Sequence, residues 1–258
     1  MLLDQRRQQL LELVRARGFA SLPELAGALQ VSESTVRRDL EHLEESGSAK
    51  RTHGGVVYTG ESPAFPHFHD RQESQWARKC AIARAAVEWI EDGETLLLDG
   101  GTTTYEVARL LVGRPLQIVT NSMPVANLFA ASSDSDLVLI GGNVHLRTGV
   151  TLGPYAHSML GDLNVRRAIM SVAAVNERGY YNSNILQVEI QQAMVAAADE
   201  VIVVADSTKF GHSSLARMCP LDEVDRLISD DGLTPAWQTK IQNAGATLKI
   251  AEVSENAP

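Results

Sequence analysis

The sequence predicts an α/β chain in two parts, a small helical head with a β-wing and a larger Rossmann-like body on a mostly parallel sheet. Three observations predict this. Three short helical patterns crowd into the first 45 residues. From Trp76 onward, short apolar strands alternate with helical segments. The ends of those strands are polar and rich in glycine, where an open sheet of this class holds its ligands.

The chain has 258 residues, 44% apolar and 21% charged, an ordinary composition for a globular core. No apolar run reaches the roughly 18 residues of a membrane span. The opening MLLDQRRQQL lacks the apolar stretch of a secretory leader. Cys80 and Cys219 are far apart and without metal spacing. The expectation is a cytoplasmic protein with no metal and no cofactor. The formal net charge of −9 argues at first against nucleic acid. Residues 1–58, however, hold eight Lys/Arg and eight Asp/Glu, so the whole excess lies in the body. A neutral head can still bind DNA where its cations cluster.

In the head, Leu10, Leu11 and Val14 recur at helical spacing between Gln5 and Arg17, and Gly18 ends the segment. Ser21 to Glu24 reads as a capping box, opening a helix that buries Leu22, Leu25, Ala26 and Leu29. Gln30 to Glu33 makes a tight turn, with Ser32 as N-cap. A third helix over Glu33–Glu45 sets Val36, Leu40 and Leu43 on one face, and Gly47 stops it. This is a helix-turn-helix layout, which presents the leading residues of its last helix to base edges. Ser34, Thr35, Arg37 and Arg38 lie opposite the apolar face. Arg37 could equally pair with Glu41 one turn on. Lys50 to Tyr58 reads as a two-stranded wing with Gly54 and Gly55 near its turn, bringing Lys50, Arg51 and His53 to the same edge. Cations converging there suit phosphate contacts.

Residues 59–75 show no period and read as a linker, dividing a head (1–58) from a body (76–258). Helices are expected near Trp76–Glu91, Thr103–Val112, Met123–Ala131 and Ile185–Ala198. Strands are expected at Thr95–Asp99, Leu116–Thr120, Leu137–Ile140, Ala168–Val175, Val201–Ala205, Leu227–Ser229 and Leu248–Ala251. The first strand end reads Asp99, Gly100, Gly101, Thr102, Thr103, Thr104 and opens a helix, an anion-binding pattern. Thr120, Asn121 and Ser122 follow the second, Gly141 and Gly142 the third with Arg147 beyond, and Asp206 to Gly211, with Lys209, a later one. Each has a plainer reading: Thr103 with Glu106 as a capping box, Gly141 and Gly142 as a turn, Lys209 paired with Asp206. Together they predict a shared polar cleft.

The run Ser32-Glu33-Ser34-Thr35-Val36-Arg37-Arg38-Asp39-Leu40 resembles the signature of the DeoR family of bacterial regulators. The spacing of Arg6, Leu10 and Val14, the wing from Arg51 to Gly55 and the strand-end loops extend the resemblance over nearly the whole chain. It implies a repressor of a carbohydrate-metabolism operon, binding double-stranded operator DNA as a homo-oligomer, a dimer or tetramer, and modulated by a phosphorylated sugar. It implies a body related to sugar-phosphate isomerases and deaminases. The glycine-threonine loop would hold the phosphate, Lys209 an anionic or hydroxyl group, and Glu189 would be a polar neighbour. Arg71 and Lys79 resemble the family's Arg and Lys leading into the body, read either as a coupling element or as surface salt bridges. Asn176 stands where the family often has an acid. The alternative is an isomerase or deaminase with an appended head, which needs a carboxylate base near the substrate carbon.

Overall fold

The computed structural model describes residues 3–17, 19–45, 49–52, 55–58, 68–132 and 134–253. Gly18, Gly47, His53, Gly54 and residues 59–67 lie outside them, as do the side chains of Lys50 and Arg51.

The head runs α1 (Leu3–Arg17), β1 (Phe19–Ala20), α2 (Leu22–Leu29), α3 (Glu33–Glu45), β2 (Ala49–Thr52) and β3 (Gly55–Tyr58). Leu10, Val14, Leu25, Leu29, Val36, Leu40 and Leu43 meet in one apolar core, as their helical spacing requires. The wing has three strands in the order β1-β3-β2, not two. The extra strand, of two residues, is too short to carry an alternating pattern and is held by backbone pairing with Val56 and Val57. At the start of α2, Glu24 Oε2 accepts from Ser21 N at 2.8 Å, the reach-back half of the capping box.

The body begins with α4 (Phe68–Glu73) and α5 (Trp76–Val87), then β4 (Thr95–Leu98), α6 (Thr102–Leu111), β5 (Gln117–Thr120), α7 (Met123–Phe129) and β6 (Asp136–Leu139). A hairpin of β7 (Asn143–His145) and β8 (Val150–Leu152) leads to α8 (Pro154–Gly161) and β9 (Val165–Ser171). Next come β10 (Ala174–Asn176), β11 (Gly179–Asn182), α9 (Ile185–Ala196), β12 (Ala198–Val204), a 3₁₀ turn (Ser207–Lys209) and β13 (Ala216–Cys219). The chain closes with β14 (Arg226–Asp230), α10 (Pro235–Asn243) and β15 (Thr247–Ala251).

Seven strands pair in the order β15-β14-β12-β9-β4-β5-β6, every pairing parallel. Successive residues bury on opposite faces. Leu97, Val119, Met170 and Val203 join one apolar layer; Leu96, Leu98, Ile118, Ile169 and Val204 join the other. Burial on both faces explains why these strands read as continuous apolar runs, each such side chain contributing about 1.5–3 kcal/mol. The chain enters at β4, moves out to β6, and returns to β9 on the other side of β4. The switch point between β4 and β9 is where such sheets open a ligand crevice.

Two segments depart from the sequence reading. The strand expected over Ala168–Val175 breaks after Ser171, and its last residues leave for a small antiparallel sheet, β10-β11-β13. The stretch read as irregular linker contains α4, docked on the body. Phe68 packs edge-on to Tyr105 at 5.2 Å, and Gln72 donates to Glu106 at 3.2 Å. Among the described residues no helix is long and apolar enough to cross a membrane.

Candidate functional site

On the head, Ser32 caps α3, its hydroxyl accepting from Thr35 N at 3.3 Å. The Ser34 and Thr35 hydroxyls each lie 2.8 Å from the same oxygen. Arg37 and Arg38 are exposed. Behind this face Asp39 is buried, held by Arg6 Nε at 2.6 Å and Nη2 at 3.2 Å, with Arg7 at 3.4 Å. The Arg6 pair locks α1 to α3 and so fixes the pose of the exposed arginines. Arg37→Ala is expected to cost about 1–3 kcal/mol of affinity for a cognate site and little for random DNA. A gel-shift titration on both DNAs checks it, and unchanged cognate affinity would remove Arg37 from base readout.

On the body, the strand ends at the switch point are joined by Asp99. Its carboxylate accepts from Gly101 N (2.9 Å), Thr104 Oγ1 (2.8 Å), Ser171 N (3.0 Å), Ser171 Oγ (3.1 Å) and Gln191 Nε2 (2.9 Å). Burial raises the Asp99 carboxyl above its ordinary range, and these donors pull it back. The loop they shape opens α6 with Thr102 and Thr103 at its first turn, whose amides have no partner within the helix. Neither hydroxyl of this pair is engaged among the described residues.

The neighbouring loops are built in the same way. Thr120 Oγ1 donates to Leu98 O at 2.7 Å, and Ser122 caps α7 by accepting from Val125 N at 3.3 Å. Between them Asn121 donates to Thr151 O at 3.0 Å, while its Oδ1 is buried without a partner. After β12, Asp206 caps the 3₁₀ turn, accepting from Thr208 N at 3.1 Å. Ser207 N and Oγ donate to the buried Asp230 at 2.6 and 2.8 Å, and Arg78 donates to Ser207 Oγ at 3.1 Å. Lys209 Nζ stands 4.0 Å from Asp206 and is partly exposed.

Cations converge on this place from α4 and α5. Lys79 Nζ donates to the carbonyls of Arg71 and Ser74. Its burial pulls the ammonium down to about 8, within the fields of Asp206, Lys209 and Arg71. Arg71 Nε and Nη2 are buried with no hydrogen-bond partner. Burial lowers the pKa of the Arg71 guanidinium, and the Asp99 charge opposes the shift. His145 is pushed down by burial and then by Arg147 and Arg71. An orphaned, desolvated guanidinium in the field of Asp99, whose loop leads into α6, is an arrangement that an anion satisfies. Among the described residues no group of three His, Cys, Asp or Glu side chains could hold a metal ion.

Comparison with known proteins sets this geometry in context. Residues 6–61 match the model of the DeoR-like helix-turn-helix domain, and residues 74–231 that of the DeoR C-terminal sensor domain. The chain belongs to the DeoR family of transcriptional regulators. Three relatives are each 32% identical to it. An uncharacterized HTH-type regulator of Bacillus subtilis (strain 168), YulB, aligns over 99% of both chains. The HTH-type transcriptional repressor CsqR of Escherichia coli (strain K12) aligns over 93% of both. The glycerol-3-phosphate regulon repressor of Escherichia coli (strain K12) aligns over 88% of this chain and 90% of its own.

Within this DeoR-family chain, the expected residues fall into three groups. Asp99, Gly100, Gly101, Thr102, Thr103, Thr104, Thr120, Asn121, Ser122 and Lys209 gather at the ends of the parallel strands. Arg147 O accepts from Phe68 N of α4 at 3.2 Å and Arg71 O accepts from Lys79 Nζ, so both residues lie where α4 meets the body. Gly141 and Gly142 are exposed at the entry to the β7–β8 hairpin. Asn176 instead serves a neighbouring loop, donating to Ser213 Oγ at 3.1 Å and accepting from Arg178 N at 2.8 Å. Glu189 faces outward, into a groove of about 390 Å³ between α8 and α9. From the same helix it is Gln191 that reaches Asp99. Gln191 and Asp230 escaped the sequence reading; the signal for Gln191 was a polar residue on the buried stripe of Val188 and Met194.

The glycines of the first loop answer to packing. A Cβ on Gly100 would stand 2.0 Å from Val150 Cγ1, and one on Gly101 1.7 Å from Ser171 Oγ. Gly101 has φ −81, which any residue adopts, so the cost of a side chain there is steric. Gly101→Ala is expected to lower stability by about 1–3 kcal/mol, measured by thermal melting. A neutral result would mean that β9 yields freely.

Proposed function

We propose that this chain is a repressor whose grip on operator DNA is set by a phosphorylated sugar held at the strand ends of its sensor domain. The observation that carries the reading is Arg71, whose Nε and Nη2 are buried and unpartnered. After the Asp99 loop, α6 opens with Thr102 and Thr103, whose hydroxyls are not engaged among the described residues. Phosphate supplies the acceptors these donors lack, and Lys209 is placed to add a second charge. Asn121 Oδ1, buried and unpartnered, suits a sugar hydroxyl. The relative named for a glycerol-3-phosphate regulon accords with a phosphorylated effector.

An enzymatic reading has less to work with. Asp99 is occupied by its donors and Asp206 by the 3₁₀ turn, and Asn176 is a carboxamide with no basic group, so none is placed as a free base. The head acts on DNA through Ser32, Ser34, Thr35, Arg37, Arg38, Lys50, Arg51 and His53, in the cytoplasm. A dimer or tetramer places two heads on a symmetric operator.

The experiment is a thermal-shift screen of the full chain with aldose and ketose phosphates and their unphosphorylated parents. At about 100 times its dissociation constant a ligand adds roughly 2.7 kcal/mol of apparent stability. Stabilisation by at least one phosphate ester and not by its parent supports the reading; indifference to every ester, or turnover of one, contradicts it.

A further inference from the structure

The carboxylate of Glu24 is shared between the two halves of the molecule. Its Oε2 accepts from Ser21 N at 2.8 Å and Ser21 Oγ at 2.7 Å, inside the head. Its Oε1 lies 3.2 Å from His212 Nδ1 and accepts from Ser213 N at 3.3 Å, both on the body. The four contacts hold the Glu24 carboxyl below its ordinary range, against a burial that raises it. We propose that Glu24 docks the head on the loop after the 3₁₀ turn, making this loop a direct contact surface between the sensor site and the DNA-binding domain.

The loop is built for that task. Its near end is the strand-end site: Asp206 caps the turn, Ser207 is anchored on Asp230, and Lys209 projects beside them. Phe210 is buried against Trp237 at 5.7 Å. Gly211 N donates to Val175 O at 2.9 Å, and Ser213 Oγ accepts from Asn176 Nδ2 at 3.1 Å. Both ends of the loop are therefore pinned, and only two residues separate Lys209 from His212. A shift at Lys209 has little slack to absorb it before reaching Glu24. Docking also leaves the DNA face open, because Ser34, Arg37 and Arg38 on α3 remain exposed while α2 meets the body. Asn176, which stands in place of an acid, gains a role here, since it fixes the Ser213 that Glu24 engages. The relay from sugar to head rests on the function proposed above; the docking itself does not.

The test uses the full chain without ligand and follows backbone amide exchange by mass spectrometry. His212→Ala removes one docking partner without touching the Ser21 cap, and Glu24→Gln removes the charge. Loss of the contact is expected to speed exchange in Leu22–Leu29 and around Ser213 together, about tenfold, in both variants. Unchanged exchange of Leu22–Leu29 in His212→Ala overturns the docking. So does a change in Glu24→Gln confined to the head, which would reduce Glu24 to a helix cap. A second arm adds an ester from the thermal-shift screen, ribose 5-phosphate being the first probe. If no ester alters the 206–213 segment, the sugar-phosphate reading fails while the docking stands on the ligand-free result.

Discussion

Asp99→Ala is expected to destabilise the sensor domain by about 3–5 kcal/mol. Asp99 is fully buried and accepts from two backbone amides, two hydroxyls and an amide side chain. Alanine would orphan these donors in a space without water and would remove the charge that faces Arg71. It would also remove the side-chain tie between the ends of β4 and β9, leaving only their backbone pairing. Thermal melting of the ligand-free chain measures the loss. A cost below about 1 kcal/mol would mean that the loop is held by packing alone and that Asp99 is free to meet a ligand.

Arg71→Ala is expected to act in the opposite way, sparing the fold and abolishing the response to ligand. The free chain holds a desolvated guanidinium with two unpartnered nitrogens, so removing it relieves one cost while opening a small cavity. The two offset, and apo stability should move by no more than about 1 kcal/mol. The roughly 2.7 kcal/mol that a phosphorylated sugar adds at about 100 times its dissociation constant should vanish. Lys209→Ala should behave similarly, since its side chain is partly exposed and reaches Asp206 only at 4.0 Å. Thermal shifts with and without the ester decide the matter. A several-kcal/mol loss in the free chain with ligand binding intact would make both residues structural.

The repeating parts of this fold were readable in the sequence because their causes are periodic. Val36, Leu40 and Leu43 on α3 and the apolar runs of β4, β5 and β12 announce their own geometry. What escaped depends on contacts distant in sequence. The helix α4 has one buried apolar residue, Phe68, and forms because Tyr105 and Glu106 receive it. The two-residue β1 exists only as a partner for β3. At the site, the strand-end loops were legible by composition, but the role of each residue was not. Asp99, Thr104 and Ser122 look like ligand contacts, and each also makes scaffold hydrogen bonds that composition does not announce. Asp39, Lys79 and Gln191 each lie on a buried stripe of their helix and must find a partner there, which neither composition nor the family resemblance announced. A polar residue in phase with an apolar stripe was the readable sign of all three.

Whether one chain joins a DNA grip to a phosphate-sensing site is decided by an anisotropy titration of the full chain on DNA that it has selected from a random pool, with and without the stabilising ester. The ester is expected to change the dissociation constant at least fivefold, the unphosphorylated parent to leave it unchanged, and Arg71→Ala to bind the same DNA without responding. Equal affinity with and without every ester, or a response that survives Arg71→Ala and Lys209→Ala, would contradict the link between the two.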